Sequence, residues 1–385
     1  MGQGGMKILF LDQSGKPGGA ELCLLDVAAP YRETCVVGLF ADGPFRTLLE
    51  QRQIPVEVLT QRSIRVRKES GLMQGLGSLG QLAPLIGRVV RLAREYDLIY
   101  ANTQKALVVG AIASVLARRP LVYHLHDILS PDHFSPTNRR IAVALVNRAA
   151  LVIANSHASQ QALMEAGGRG DRSVVVYNGF LPEIYRQPAH NRNTLRQAWG
   201  WENAFVIGHF SRLSPWKGQH VLVAALAQCP QSVCAVLVGE ALFGEADYAY
   251  QLRRQVEQLG LGDRIRFLGF QSDVISLMHA CDLVAHTSTA PEPFGRVVVE
   301  GMLCGRPVVA VEAGGVPELL ESGRTGWLVP PSDPAALAAV IRQSVQAPEV
   351  GEAIARLAQS EASQRFHLDA IQAAIHAQLQ RVMAG

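Results

Sequence analysis

Short apolar runs alternating with amphipathic stretches constrain this chain more than any other feature. Runs at 7–12, 34–39, 56–59, 98–101, 121–124, 151–155 and 174–177 are separated by helix-like stretches at 21–29, 82–95, 105–116, 139–149 and 158–166. Strands that are apolar throughout and joined by helical connections do not pair as hairpins; they predict a parallel sheet covered by helices on both faces. Residues 181–199 then turn polar and rich in Pro, Asn and Gln, which reads as an interdomain link. The alternation resumes with runs at 205–210, 233–239, 265–268, 283–286, 307–311 and 327–329 and helix-like stretches at 219–227, 248–259, 274–279, 297–304 and 335–345. A last helical run covers 366–383. The expected class is therefore α/β with two doubly wound sheets, and 385 residues is a natural length for two cores.

Composition agrees and excludes some functions. Hydrophobic residues make up 48% of the chain and charged residues 18%, as buried parallel sheets require, while a net charge of +3 is too small to imply nucleic-acid binding. The apolar run Ile8 to Leu11 follows a single Lys and is too short for a signal peptide or a membrane span; Met1 to Gly5 reads as an extension ahead of Met6, and no myristoylation pattern is met. The six cysteines (Cys23, Cys35, Cys229, Cys234, Cys281, Cys304) sit singly in apolar segments without C-x-x-C spacing, as core residues of a reduced, cytoplasmic protein do.

Ligands of such sheets bind beyond the carboxyl ends of the strands, so the loops there carry the function. In the first half, the loop 12–20 holds Gly15, Gly18 and Gly19 before a helix and can bring backbone amides to a phosphate or sugar. It lacks G-x-G-x-x-G spacing and an acidic partner, which argues against a dinucleotide cofactor. Asn102, Thr103 and Gln104 suit hydroxyl recognition or helix capping, and Ser156 suits capping or ligation. His124 and His126 would share a strand face without a visible third metal ligand, so His126 is read as binding a sugar hydroxyl or a diphosphate. Two basic stretches, 62–68 and Arg88/Arg91/Arg94, are either a solvated face or a surface for anionic lipid headgroups or an anionic acceptor.

The second half concentrates the chemistry. Ser211-Arg212-Leu213-Ser214-Pro215-Trp216-Lys217-Gly218 follows a strand, placing Arg212 and Lys217 at its carboxyl end. Glu292-Pro293-Phe294-Gly295-Arg296-Val297 follows another and runs into a helix bearing Glu300. The first amides of a helix are unbonded and carry the positive end of its dipole, so this start, with two cations nearby, predicts a cradle for a diphosphate. Glu300 could then accept from a ribose diol and Glu292 from hydroxyls of the attached group.

Gly18-Gly19-Ala20-Glu21, Ser211-Arg212 with Lys217-Gly218, Phe267-Leu268-Gly269, Glu292-Pro293-Phe294-Gly295 with Glu300, Gly305-Arg306-Pro307 and Gly314-Gly315-Val316-Pro317-Glu318 resemble, in order and spacing, the family-four (group 1) retaining glycosyltransferases. The resemblance implies the GT-B fold: a Rossmann-like acceptor-side domain over 1–183, a Rossmann-like nucleotide-sugar domain over 184–364, a deep cleft, and a helix over 365–385 crossing back to the first domain. It assigns the diphosphate to Arg212 and Lys217, the ribose to Glu300, and the base to the backbone near Phe267, Leu268 and Phe270. The sugar falls to Glu292, Phe294, Gly295 and Arg296, the transferred sugar also to His126, and the β-phosphate to Gly19, with Gly18 and Val297 among the other donor-binding residues.

Departure of a nucleoside diphosphate leaves charge that Arg212, Lys217 and helix amides stabilise most in the transition state. No D-x-D sequence is present, so neither a metal nor another cofactor is implied. No nucleophile is evident; by the resemblance, retention is a same-face displacement in which the leaving phosphate helps deprotonate the acceptor. The expected reaction is hexose transfer, from UDP-glucose by family frequency, to a glycan or lipid-linked acceptor of polysaccharide or glycolipid synthesis at the inner face of the membrane. The alternatives are another UDP-sugar or GDP-mannose as donor, a nucleotide-sugar-binding protein without transfer activity, and, less well supported by the residues, an epimerase.

Overall fold

Ile8-Leu9-Phe10-Leu11-Asp12 is buried along its whole length, as an apolar strand between two helical layers must be. In the computed structural model, which describes residues 5–60, 72–131, 134–242 and 244–385 and only the backbone over 72–82, this run is β1 (Ile8–Asp12). With it, β2 (Cys35–Leu39), β3 (Val56–Val58), β4 (Leu98–Ala101), β5 (Leu121–Leu125), β6 (Leu151–Ala154) and β7 (Ser173–Val175) form a parallel sheet in the order β3-β2-β1-β4-β5-β6-β7. The basic stretch 62–68 lies outside the described residues.

A second parallel sheet contains β8 (Phe205–Phe210), β9 (Val233–Val238), β10 (Ile265–Gly269), β11 (Leu283–His286), β12 (Val308–Val311) and β13 (Trp327–Val329), in the order β10-β9-β8-β11-β12-β13. Each sheet belongs to its own compact unit, one of Met1–Gly179 with Leu368–Gly385, the other of Phe180–His367. The boundary expected at 183/184 thus lies between Gly179 and Phe180, and the one at 364/365 between His367 and Leu368. The reason is aromatic: Phe180 stacks on Phe294 at 6.4 Å, its amide donates to the Phe366 carbonyl at 2.9 Å, and Phe366 meets Phe294 edge-on.

The polar segment 181–199 is not a bare link. It folds into helices Pro182–Tyr185 and Arg192–Trp199. Arg192 and Arg196 donate to the Asp282 carboxylate, and Asp282 also accepts from the Val206 amide at 2.8 Å, tying the segment to the entry of β8. Most of its polar residues face solvent, but Arg196 is buried on Asp282 and Arg192 partly so, which fastens the segment to the second unit.

The final helix, Leu368–Ala384, packs on the first unit. Ile375 and Leu379 enter the apolar cluster of Phe10, Tyr31 and Tyr100, the Tyr31 hydroxyl meets His376 Nδ1 at 2.7 Å, and Gln372 donates to the Asp26 carbonyl. All six cysteines are buried and unbridged. Among the described residues no helix is long and apolar enough to cross a membrane. Leu379 is fully buried, so Leu379→Ala is expected to destabilise the first unit by about 2–5 kcal/mol through the cavity it leaves. Denaturation followed by hydrogen exchange in β1 measures this; an unchanged profile would mean the helix is dispensable.

Candidate active site

In the second sheet the strand order reverses between β8 and β11, and loops leaving the two strands diverge to opposite sides of such a switch point, opening a crevice for ligands. Here the two loops are stitched together. The Thr289 amide donates to the Trp216 carbonyl at 2.7 Å and the Thr287 hydroxyl to the Gly218 carbonyl at 2.8 Å. Gly218 has φ +71°, and a Cβ there would lie 1.8 Å from the Thr287 carbonyl oxygen, so this approach demands glycine.

The stitch brings Lys217 Nζ to 2.6 Å from Glu292 Oε2. The Ser288 hydroxyl donates to the same oxygen at 3.0 Å, and His286 Nε2 lies 3.3 Å from it. Side-chain exposure is only 17% for Lys217 and 12% for Glu292, so the pair is largely desolvated. Burial alone would raise the Glu292 carboxyl, but the Lys217 ammonium, His286 and the hydrogen bonds outweigh it and hold the group well below the usual carboxylate range.

Arg212 and Lys217 flank one indole: the Arg212 guanidinium carbon is 5.8 Å and Lys217 Nζ 3.9 Å from the Trp216 ring centre. Gln219 donates to both the Arg212 carbonyl and the Ser211 hydroxyl at 2.8 Å, fixing the turn. The helix Arg296–Leu303 starts on the loop after β11, with Gly295 as its N-cap at φ +93°. Two cations and a helix start therefore share the carboxyl edge of this sheet, an arrangement suited to a diphosphate.

Several side chains stand elsewhere than the sequence suggests. Arg296 lies over the Phe180 ring at 4.5 Å and its Nε is 3.6 Å from Glu300 Oε1, so it runs along its own helix. Glu300 is held by Arg296 and Tyr185 rather than standing open; burial raises its carboxyl and those partners offset this only in part. Phe294 is 2% exposed inside the Phe180–Phe366 cluster, so its ring is a structural anchor. Phe267 packs beneath Arg253 at 4.1 Å and the Leu268 carbonyl accepts from Gln271, whereas Phe270 is 67% exposed and presents its ring. Val297 is half-buried on the first turn of the helix. His286, Ser288 and Trp216 were missed by sequence reasoning; the last residue of a strand at the ligand edge, His286, was the available signal.

The first sheet has its own reversal, between β1 and β4. Asn102, just past β4, donates through Nδ2 to Asp12 Oδ2 at 2.7 Å and to the Ala20 carbonyl at 3.1 Å. Its Oδ1 lies 2.9 Å from His126 Nε2. Asn102 is thus a buried connector rather than a hydroxyl-recognising surface group. Gly18 and Gly19 open the helix Gly19–Ala28 and are exposed, whereas Gly15 accepts from the Phe45 amide and serves loop packing. Ser156 caps the helix His157–Glu165, accepting from the Ser159 amide.

His124 is a core residue, bonded through Nδ1 to the Tyr100 hydroxyl at 2.7 Å and held neutral by burial. Cys23 supplies the third donor near His124 and His126 that the sequence did not reveal, all within 4.8 Å of one another. The two rings face each other at 4.0 Å with planes 36° apart, so their in-plane lone pairs do not converge as a metal centre needs. Burial raises the Asp12 carboxyl to about 6 and, together with repulsion from Asp12, the Glu21 carboxyl to about 7.

Two doubly wound parallel sheets, the second with an anion-competent switch point, define a protein of the GT-B class. Residues 191–361 match the family of glycosyl transferases group 1, and residues 17–183 match glycosyltransferase family 4. HepE of Anabaena, solved in complex with UDP and glucose, is 60% identical over 98% of this chain and 100% of its own, with a TM-score of 0.92. It has also been solved with UDP-glucose, at a TM-score of 0.91. The D-inositol 3-phosphate glycosyltransferase of Corynebacterium jeikeium is 29% identical over 77% of this chain and 76% of its own. Sucrose-phosphate synthase of Thermosynechococcus elongatus shares the fold at 19% identity, with a TM-score of 0.82 over 98% of this chain and 99% of its own. The chain belongs to the group 1, family-four glycosyltransferases.

Lys217→Ala removes one of the two cations and leaves a buried carboxylate without its ammonium. Turnover is expected to fall on the order of 10²-fold or more with the fold retained by circular dichroism; a near-native rate would contradict a role for the pair. Asp12 and Glu21 bind protons more tightly folded than unfolded, between their ordinary values of 3.8 and 4.5 and about 6 to about 7. Their contribution to stability is therefore complete at acid pH and is lost as pH rises through that window. Glu21→Gln is expected to flatten this decline, read by hydrogen exchange of β1 and β4 amides after correction for intrinsic exchange; an unaltered slope would refute it.

Proposed function

We propose that this glycosyltransferase is a retaining, metal-independent hexosyltransferase that moves glucose from UDP-glucose to a glycan or lipid-linked acceptor. The reading is carried by the Lys217–Glu292 pair at the switch point of a chain 60% identical to HepE, whose solved complexes hold UDP-glucose and UDP with glucose. In this account Lys217 and Arg212 receive the diphosphate, and Glu292 turns to the hydroxyls of the hexose as Lys217 takes a phosphate partner. Phe270 offers a ring on which the base can stack. Glu300 exchanges an existing partner for the ribose, and His126 and the Gly18-Gly19 helix start serve the transferred sugar and its β-phosphate by family resemblance. Cations already in place supply the charge stabilisation that a metal gives in other transferases.

Polysaccharide or glycolipid synthesis at the inner face of the membrane is the proposed setting. Peripheral contact with anionic lipid is supported by the end of the helix Gln104–Ala117, where Val115 and Leu116 are 66% and 56% exposed. Arg118 follows them, and Arg119 donates to the Arg94 carbonyl, so exposed apolar and basic groups lie together.

A thermal-shift panel of UDP-, GDP- and ADP-sugars tests the donor, since a ligand that binds only the folded state raises the melting temperature by mass action. UDP-glucose is expected to give the largest shift and to release UDP when acceptor is added, with the anomeric proton signal of the product matching the α-configuration of the donor. A larger shift with GDP-mannose would reassign the donor. Binding without acceptor-dependent UDP release would favour a nucleotide-sugar-binding protein.

A further inference from the structure

We propose that Asn102 is a positioning residue that holds His126 in the tautomer protonated on Nε2. The proposal rests on the reading of His126 as serving the transferred sugar and goes beyond it by assigning the ring's proton and the group that places it.

A side-chain amide has one acceptor oxygen and one donor nitrogen, and which end points where is decided by its neighbours. Asn102 is 1% exposed, so water does not substitute for any of them. One end faces Asp12 Oδ2 at 2.7 Å and the Ala20 carbonyl at 3.1 Å. The carbonyl cannot donate under any condition, so that end is the NH₂ group whatever proton Asp12 carries. The other end, 2.9 Å from His126 Nε2, is then the oxygen and only accepts. A hydrogen bond across that distance requires the proton on Nε2, which makes Nδ1 the acceptor of the neutral ring.

The anchors of this relay belong to different parts of the first unit. Asp12 ends β1, Asn102 follows β4, His126 follows β5, and Ala20 lies on the first turn of the helix opened by Gly18 and Gly19. The glycine-loop helix and the His126 ring are therefore referenced to one amide at the switch point of the sheet. Without the Asn102 acceptor the ring loses its fixed orientation as well as its fixed tautomer, and a hydrogen bond to the transferred sugar that depends on both is made for less of the time.

The test is nitrogen-15 NMR of histidine-labelled full-length protein at a pH where His126 is neutral, combined with steady-state kinetics. Wild type is expected to show His126 in the Nε2–H form. Asn102→Ala is expected to weaken that preference and, by freeing the ring, to reduce kcat about 10-fold, less than outright removal of a transition-state hydrogen bond costs. An Nδ1–H wild-type spectrum, or an Asn102→Ala variant with the Nε2–H form and native kcat, would overturn the proposal. The wild-type spectrum needs no variant, so an Nδ1–H form there refutes the proposal even if Asn102→Ala misfolds. His126→Ala separates the two layers: native turnover in that variant would remove the role of His126 in transfer while the tautomer assignment stood on its own spectrum.

Discussion

The contact between Lys217 and Glu292 is the interaction on which this account depends. A buried ion pair is weak support for stability, because desolvation cancels much of the attraction. Its presence at the carboxyl edge of a parallel sheet, with His286 and Ser288 on the same carboxylate oxygen, is better understood as preorganisation. On the proposed reading a substrate carrying a diphosphate and hydroxyls would separate the two charges, Lys217 taking phosphate oxygens and the Glu292 carboxylate accepting from hydroxyls.

Backbone geometry maintains that readiness. Close approach at Gly218 welds the β8 and β11 loops, and Gln219 braces the turn carrying Arg212. Beneath the Glu292 loop, Phe294 is locked between Phe180 and Phe366, so the start of the Arg296–Leu303 helix is anchored by an aromatic core. The first unit follows the same logic with a hydrogen-bonded amide in place of an ion pair: its switch point is organised around Asn102.

The two-sheet plan was legible because it is written in apolar periodicity, and the thirteen strands among the described residues fall within or next to the runs read from sequence. The edge carrying Arg212, Lys217 and Glu292 was legible because topology places loops after parallel strands together. Partner choice was not. Nothing in the spacing of Lys217 and Glu292, separated by 75 residues, shows that they meet each other. Arg296 and Phe294 look like ligand residues by position but are turned inward by Phe180, a residue that sequence assigned to the other domain. The polar segment 181–199 is largely exposed, as its composition implies, but composition does not reveal that Arg192 and Arg196 within it fasten on Asp282.

A crystal structure of this protein with UDP-glucose bound would test the central claim most directly. The account predicts Lys217 Nζ within hydrogen-bonding distance of a diphosphate oxygen, Arg212 on the same diphosphate, and the Glu292 carboxylate turned onto hexose hydroxyls. A bound nucleotide sugar whose diphosphate lies away from both cations, with the Lys217–Glu292 contact intact, would contradict it.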